Sequence, residues 1–189
     1  YGICVLDSTS VAGLTVTRCT ITRNGRAGIG FPSASWSNVT ADVENCLISK
    51  NYDQGIEIGS GFGGLSVTAR NVTISGNAGC GVEQRGARLA LTNSIVAFNQ
   101  DRGLFRQSGM MTHSHNLVHG NARGDYDGTS SGAGEISADP LFVSTALDDY
   151  HLRNGSPSID AGVEAAGTVD DDLEGNSRPI SLGWDMGCY

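Results

Sequence analysis

The sequence predicts an all-β solenoid, in which short strands wind into stacked coils, and three observations lead to this fold class. The segment "NVTISGNAGCGV" over 71–82 recurs at 18–29, 45–56 and 93–104 and, more weakly, at 115–126. Successive copies are offset by 27, 26, 22 and 22 residues, a period that suits three short strands and three turns. The chain also contains 27 glycines and only 17% charged residues, which is typical of turn-rich β proteins.

Each copy carries an asparagine that we use as its anchor, and these residues are Asn24, Asn51, Asn77, Asn99 and Asn121. An isoleucine or valine stands three residues before every anchor, and in the first four copies a glycine and an aliphatic residue follow it at the fourth and fifth positions. Strands this short bury a face only when coils stack about 4.8 Å apart into parallel sheets around one core. We therefore predict a right-handed single-stranded parallel β-helix of about five to six coils, each of roughly 22 to 27 residues.

Two further columns of the repeat predict corners. Asn45, Asn71 and Asn93 stand six residues before their anchors. Asparagine tolerates the left-handed conformation, and we expect these side chains to bond backbone groups of their own and the next coil. The glycine four residues after the anchor supplies either a positive φ or a close approach of two backbones at another corner.

These residues carry a resemblance to a known family. The pattern N-x-x-I-x-x-N-x-x-x-G-I resembles the right-handed β-helix region of pectate-lyase-like bacterial proteins. Near the other end, "DPLFV" (139–143), "DYHLRNGSPSIDAG" (149–162), "DLEGNSRP" (172–179) and "DMGCY" (185–189) resemble the C-terminal region of the choice-of-anchor Q group. The resemblance implies a β-helix that is secreted or displayed at a bacterial cell surface, and it says little about activity because such helices host many functions.

The chain divides into three segments of one domain. Residues 1–127 hold the coils, 128–138 form a Gly/Ser-rich connection, and 139–189 form an acidic segment that we expect to cap the C-terminal end of the solenoid. The last segment has ten acidic and two basic residues and so carries the whole net charge of −8. We expect Arg178 to pair there with Asp160, Asp172 or Asp185.

The sequence argues against nucleic-acid binding and against a membrane span, and it suggests association with a second copy of the chain. Residues 1–138 contain ten acidic and ten basic residues, whereas nucleic-acid binding needs a basic face. No apolar run is long enough to span a membrane. Gly2–Ile3 matches the Gly–Ile pair that ends a repeat copy, so the first coil is incomplete. An uncapped coil exposes strand edges, and we expect end-to-end association of two copies through it.

The candidate catalytic residues are Glu57, Glu83 and Arg85. Alternation along the strand after the Gly–Ile pair points Glu83 and Arg85 outward, and Glu57 shares the row of Glu83. Two neighbouring carboxylates can divide acid and base roles, as glycoside cleavage requires. The arginine can hold a uronate carboxylate or stabilise an enolate-like intermediate. Alternatively, these charges only solvate an outer sheet.

Four other residues are predicted to bind carbohydrate. Phe105 and Gln107 lie on the same outer sheet, in the rows of Glu83 and Arg85. The insertions 30–38 and 59–64 account for the two longer spacings and bring Trp36 and Phe62 to one corner beside that sheet. Aromatic rings there can stack on sugars, or they can pack within their own loops.

The acidic turn 169–176 allows a weak calcium site, and its candidate ligands are Asp170, Asp171, Asp172 and Glu174. A solvated turn is the simpler interpretation, and we predict no other cofactor. Among the histidines of the fifth copy, His115 takes the corner position, which favours a turn over a metal site. Cys19 and Cys46 share an inward row in adjacent coils, and we favour free thiols over a disulfide because stacked side chains run parallel.

The function predicted from these residues is a secreted or surface β-helix module that binds carbohydrate or serves a structural role. One alternative is a polysaccharide lyase or glycoside hydrolase that acts on an acidic polysaccharide. The other is an adhesin or scaffold fragment without a ligand.

Overall fold

The computed structural model describes residues 1–6, 13–32, 39–60, 64–164, 170–179 and 182–189. The strands in chain order are β1 (Ile3–Cys4), β2 (Gly13–Thr17), β3 (Thr20–Thr22), β4 (Ile29–Phe31), β5 (Val39–Glu44), β6 (Leu47–Ser49), β7 (Ile56–Ile58), β8 (Leu65–Arg70), β9 (Thr73–Ser75), β10 (Val82–Thr92), β11 (Ile95–Ala97), β12 (Leu104–Ser114), β13 (Leu117–His119), β14 (Tyr126–Asp127), β15 (Phe142–Ser144) and β16 (Asp149–Leu152). A 3₁₀ turn at Thr145–Leu147 lies between β15 and β16. These described ranges contain no α-helix.

The strands of the solenoid pair in parallel, as the repeat predicts. One sheet of the described residues contains nine strands, and a second contains β13, β11, β9, β6 and β3 in that order. Register shifts between Gln84 and Arg88 divide the pairing of β10 with β12. The larger sheet therefore forms two faces of the solenoid: a first face that includes β4 and β7, and a second face that includes β5 and β8. The five-stranded sheet forms the third face. The five strands of that sheet span four full turns of the solenoid, slightly fewer than the five to six coils expected.

The predicted inward rows form the core. Ile21, Ile48, Ile74, Val96 and Val118 pair from strand to strand along the third face and are buried. Ile29, Ile56, Val82 and Leu104 do the same on the first face. All five cysteines are free, and burial raises the pKa of Cys46 to about 12.

The anchor asparagines form a buried hydrogen-bonded ladder. Each Nδ2 donates to Oδ1 of the next anchor, at 2.9 Å from Asn24, Asn51 and Asn77 and at 2.8 Å from Asn99. The ladder ends where Asn121 donates to Asp125 Oδ1 at 2.8 Å. The amide ladder therefore lies in the anchor column, and backbone groups of neighbouring coils complete its hydrogen bonds.

The predicted corner conformation of this column is confirmed, but its side chains make different hydrogen bonds from those expected. Asn45, Asn71 and Asn93 have φ of 48°, 50° and 52°, and His115 follows with 51°. Among the described residues, their amides do not bond the next coil as expected. Instead, Asn71 Nδ2 donates to the carbonyl of Asp185 at 3.0 Å, and Asn45 and Asn93 donate to other carbonyls of the C-terminal segment.

The repeated glycine provides close approach, the second of the two expected roles. A Cβ on Gly55 would lie 2.3 Å from Ile74 Cγ2, and one on Gly81 would lie 2.4 Å from Val96 Cγ1. Neither glycine has a positive φ. Only a residue without a side chain fits between the coils here.

The C-terminal segment, here called the tail (139–189), packs along the side of the solenoid. Its residues Phe142 and Tyr150 join Leu47, Ile95 and Leu117 of the third face in one buried apolar cluster. Strands such as β6, β9 and β11 are buried at every position because the core covers one side and the tail the other. The expected position over the C-terminal end is wrong for the main body of the tail.

Two finer expectations about the C-terminal part also differ from the structure. Arg178 is buried and donates to the backbone carbonyls of Asp185 and Gly187, at 3.1 and 2.9 Å, with no carboxylate partner among the described residues. The segment expected as a flexible connection continues the solenoid, because Ile136 N donates to the carbonyl of Asn116 at 2.9 Å.

Candidate functional site

The outward residues of the first face form a line across neighbouring strands. Gly30, Glu57, Glu83, Phe105 and Asp127 stand opposite one another in β4, β7, β10, β12 and β14. Adjacent strands lie about 4.8 Å apart, so the side chains of Glu57 and Glu83 stand next to each other on this face. The fold therefore brings together the predicted carboxylates.

Five side chains on this face form a connected polar group that we call the carboxylate row: Gln54, Glu57, Glu83, Arg85 and Gln107. Arg85 contacts Glu83 twice, with Nη2–Oε2 at 2.8 Å and Nε–Oε1 at 3.0 Å. Its Nη1 also lies 3.3 Å from Glu57 Oε1. The carboxylate side chains are only 10% and 6% exposed, whereas that of Arg85 is 38% exposed. One guanidinium thus bridges both acids.

Three neutral side chains also donate hydrogen bonds to these carboxylates. Gln54 and Gln107 donate to Glu83 Oε2 and Oε1, at 2.7 and 3.1 Å. The Tyr1 hydroxyl donates to Glu57 Oε2 at 2.9 Å. Burial raises the pKa of Tyr1, and this hydrogen bond raises it further. Every one of the four carboxylate oxygens therefore accepts at least one hydrogen bond, which fixes the position of both acids.

The structure describes two of the four predicted carbohydrate-binding residues, Phe105 and Gln107. A register shift places Ser108, not Gln107, opposite Arg85, but the Gln107 side chain still reaches Glu83. Phe105 stands beside Glu83 as expected, with Arg102 Cζ at 4.5 Å from its ring centroid. Trp36 and Phe62 lie outside the described residues.

The four acids of the predicted calcium site do not converge. Asp172 accepts the backbone N–H groups of Glu174 and Asn176 at 2.8 and 2.9 Å. Asp171 pairs with Arg18 at 2.7 Å. No group of three His, Cys, Asp or Glu side chains in the described ranges is arranged to hold a metal ion. Calcium at Asp170–Glu174 thus has no geometric support here.

A histidine network closes the last coil. His113 Nδ1 lies 2.7 Å from Glu135 Oε1, and its Nε2 lies 2.9 Å from Thr129 Oγ1. Glu135 also accepts hydrogen bonds from Asn116 and Tyr126, at 2.9 and 2.8 Å. Burial alone raises the pKa of Glu135, but these hydrogen bonds outweigh burial and hold it at about 2. The sequence did not indicate Glu135 as a partner because it lies outside the repeat.

Sequence reasoning missed an open groove of about 600 Å³ between the solenoid and the tail. We call it the tail groove, and its main walls are Lys50, Tyr52, Ser75, Phe98, Thr145 and Tyr150. A signal for one wall was present in the sequence, because Lys50 and Phe98 share the column directly after the third-face strands. Both have positive φ, 54° and 58°. The opposite wall depends on where the tail docks, which no repeat predicts.

No helix in the part of the chain that the structure describes is long and apolar enough to cross a membrane.

A protein-family profile agrees with the solenoid. Among solved structures, a crystal structure of pectate lyase Pel9A is similar over 90% of this chain and 69% of that chain, with 13% identity and a TM-score of 0.42. A search of curated proteins gave no match. A family profile described as "Right handed beta helix region" matches residues 1–138, so the resemblance of the tail to the choice-of-anchor Q group stays a prediction. Because the profile covers more than half of the sequence, this chain belongs to the right-handed β-helix family.

Proposed function

We propose that this chain binds carbohydrate through the carboxylate row. The observation that carries the proposal is the hydrogen-bond network in which Arg85, Gln54 and Gln107 hold both carboxylates. Planar polar side chains fixed in this way form a binding surface with little conformational freedom left to lose. Gln107 is exposed and the Arg85 side chain is 38% exposed, and their N–H groups are the ones that sugar hydroxyls would meet.

The same network favours binding over glycoside cleavage. Cleavage needs one carboxyl group that donates a proton and a second that attacks or activates water. Glu57 and Glu83 both accept from Arg85, so proton donation by either would require the ion pair to open. The row holds two carboxylates against one guanidinium, and this charge favours neutral glycans over uronates.

The test is a binding titration of the intact chain against soluble neutral and acidic polysaccharides, by calorimetry or affinity electrophoresis. We expect binding to neutral glycans that Gln107→Ala weakens by about 1 kcal/mol and that Arg85→Ala abolishes. Arg88→Ala is the matched control, because Arg88 is exposed on β10 and contacts Met110 Sδ at 3.1 Å.

Each other outcome favours a named alternative. Failure of the unmodified chain to bind any glycan would leave a scaffold or adhesin fragment as the better account. Unsaturated products seen by ultraviolet absorbance would indicate a lyase, and released reducing ends would indicate a hydrolase. Either product would overturn the proposal of binding without catalysis.

A further inference from the structure

We propose a second ligand site, in which the tail groove binds a short neutral saccharide. The inference shares the ligand class of the proposed function but uses a different surface, since no member of the carboxylate row lines the groove. Three independent observations carry it: the size of the groove, an exposed aromatic side chain on its wall, and buried hydroxyls without hydrogen-bond partners.

The groove has the dimensions of a small-molecule site and an aromatic platform. Its volume of about 600 Å³ lies within the range of ligand pockets. Tyr52 lines it and is 74% exposed, and Phe98 lines it beside the tail. A tyrosine ring offers a rigid apolar face at low entropic cost together with a polar hydroxyl. The C–H face of a sugar ring can pack on such a surface while its hydroxyls stay free to bond.

Two buried hydroxyls of the groove lack partners. Ser75 and Tyr150 are each 1% exposed, and neither Ser75 Oγ nor the Tyr150 hydroxyl has a hydrogen-bond partner among the described residues. Burial raises the pKa of Tyr150, and the hydroxyl of nearby Ser49 opposes that rise. An unpaired buried hydroxyl is unfavourable. Ligand hydroxyls would supply the missing partners.

Ion pairs hold the tail wall of the groove in place. Lys50 Nζ lies 2.6 Å from the Thr145 carbonyl and 2.6 Å from Asp148 Oδ1. Arg23 Nη2 lies 2.5 Å from Asp148 Oδ2, and the hydrogen bonds from Lys50 and Arg23 lower the pKa of Asp148. Asp148 therefore engages both cations and fixes them against the tail. The other side chains that line the groove are uncharged, so the preformed site suits a neutral saccharide.

The experiment titrates the intact chain with neutral oligosaccharides of two to four units, by calorimetry and saturation-transfer NMR. Tyr52→Ala should weaken binding at the groove about tenfold or more, and Tyr52→Phe should keep most of the affinity. Ala78→Trp, at an exposed groove position, should block the site by filling it. Circular dichroism of each variant checks that the fold is retained.

The variants separate this inference from the proposed function. Binding that Tyr52→Ala and Ala78→Trp reduce and Arg85→Ala leaves intact supports the tail groove and counts against the carboxylate row. Binding that only Arg85→Ala removes overturns the groove and supports the row. If the titration shows two classes of site, and each is lost with its own variant, both proposals are supported. If the chain binds no saccharide, both proposals are overturned.

Discussion

The Asn71 side chain donates to the backbone carbonyl of Asp185 at 3.0 Å, which joins two residues 114 positions apart. Asn71 also has a φ of 50° and turns the chain before β9. Asn45 and Asn93 repeat both properties, with Asp171 and Val163 as their acceptors. One column of the repeat therefore shapes the solenoid and holds the tail against it.

The two roles of Asn71 can be separated by two substitutions. Asn71→Gly keeps the positive φ but removes the amide, so we expect a loss of about 1 kcal/mol in the free energy of unfolding. Asn71→Ala adds the strain of a left-handed alanine, about 1 kcal/mol more. Urea titration measures both values. Equal losses for the two variants would show that the backbone conformation contributes nothing.

The asparagine ladder should be strongest in its middle. Asn77→Ala removes the acceptor of Asn51 N and Nδ2 and the donor to Asn99 Oδ1. Because these groups are buried, we expect a loss of about 3 kcal/mol or more in unfolding free energy. Asn24→Ala, at the half-buried end of the ladder, is the control and should cost clearly less. A larger loss at Asn24 would contradict this account.

The glycine column should reject even one methyl group. In Gly81→Ala the new Cβ would lie 2.4 Å from Val96 Cγ1 and 2.8 Å from the Gly103 carbonyl. We expect a loss of about 2–3 kcal/mol in unfolding free energy, typical of overpacking. Gly25→Ala is the matched control, because its Cβ would meet nothing within 4 Å. Thermal denaturation measures the stability of both variants, and an equal loss of stability in the two would refute the close-approach role.

Acid should weaken the fold through Glu135. Its pKa is about 2 in the folded chain against an ordinary value of 4.5, so its contribution is fully present above pH 4.5 and is lost as the pH falls toward 2. The contribution is on the order of 3 kcal/mol. In Glu135→Gln the unfolding free energy should be lower at neutral pH and should fall less over that interval. An unchanged acid profile would mean that other carboxylates account for the pH dependence.

Much of the scaffold and part of the candidate site could be predicted from the sequence. The rows of Ile48 and Ile56 follow from the period and from alternation along each strand, because stacked coils place equivalent positions of the repeat in one row. The same alternation placed Glu57, Glu83 and Arg85 on one outer face. The ion pair of Arg85 with both acids was not predicted, since it depends on side-chain reach.

The remaining features depend on departures from the repeat. A register shift after Gln84 displaces Gln107 from its expected partner, and such a shift has no signature in the spacing. The tail contains no copy of the repeat, so its docking on the third face, and with it the tail groove, could not be inferred. Glu135 also lies outside the repeat, so its pairing with His113 had no signal in the spacing. These are contacts between segments of unlike pattern.

The position of the tail has a consequence for synthesis. The ribosome makes the coils before residues 139–189, so the outer side of the third face, with Leu47, Ile95 and Leu117, is bare while the coils first assemble. Exposed apolar surface and nascent strands favour aggregation at that stage. Once made, the tail bridges Arg18 near the first coil to Leu117 in the last, through Asp171 and Phe142. Docking of the tail, rather than closure of any single coil, is therefore the step that covers this apolar surface.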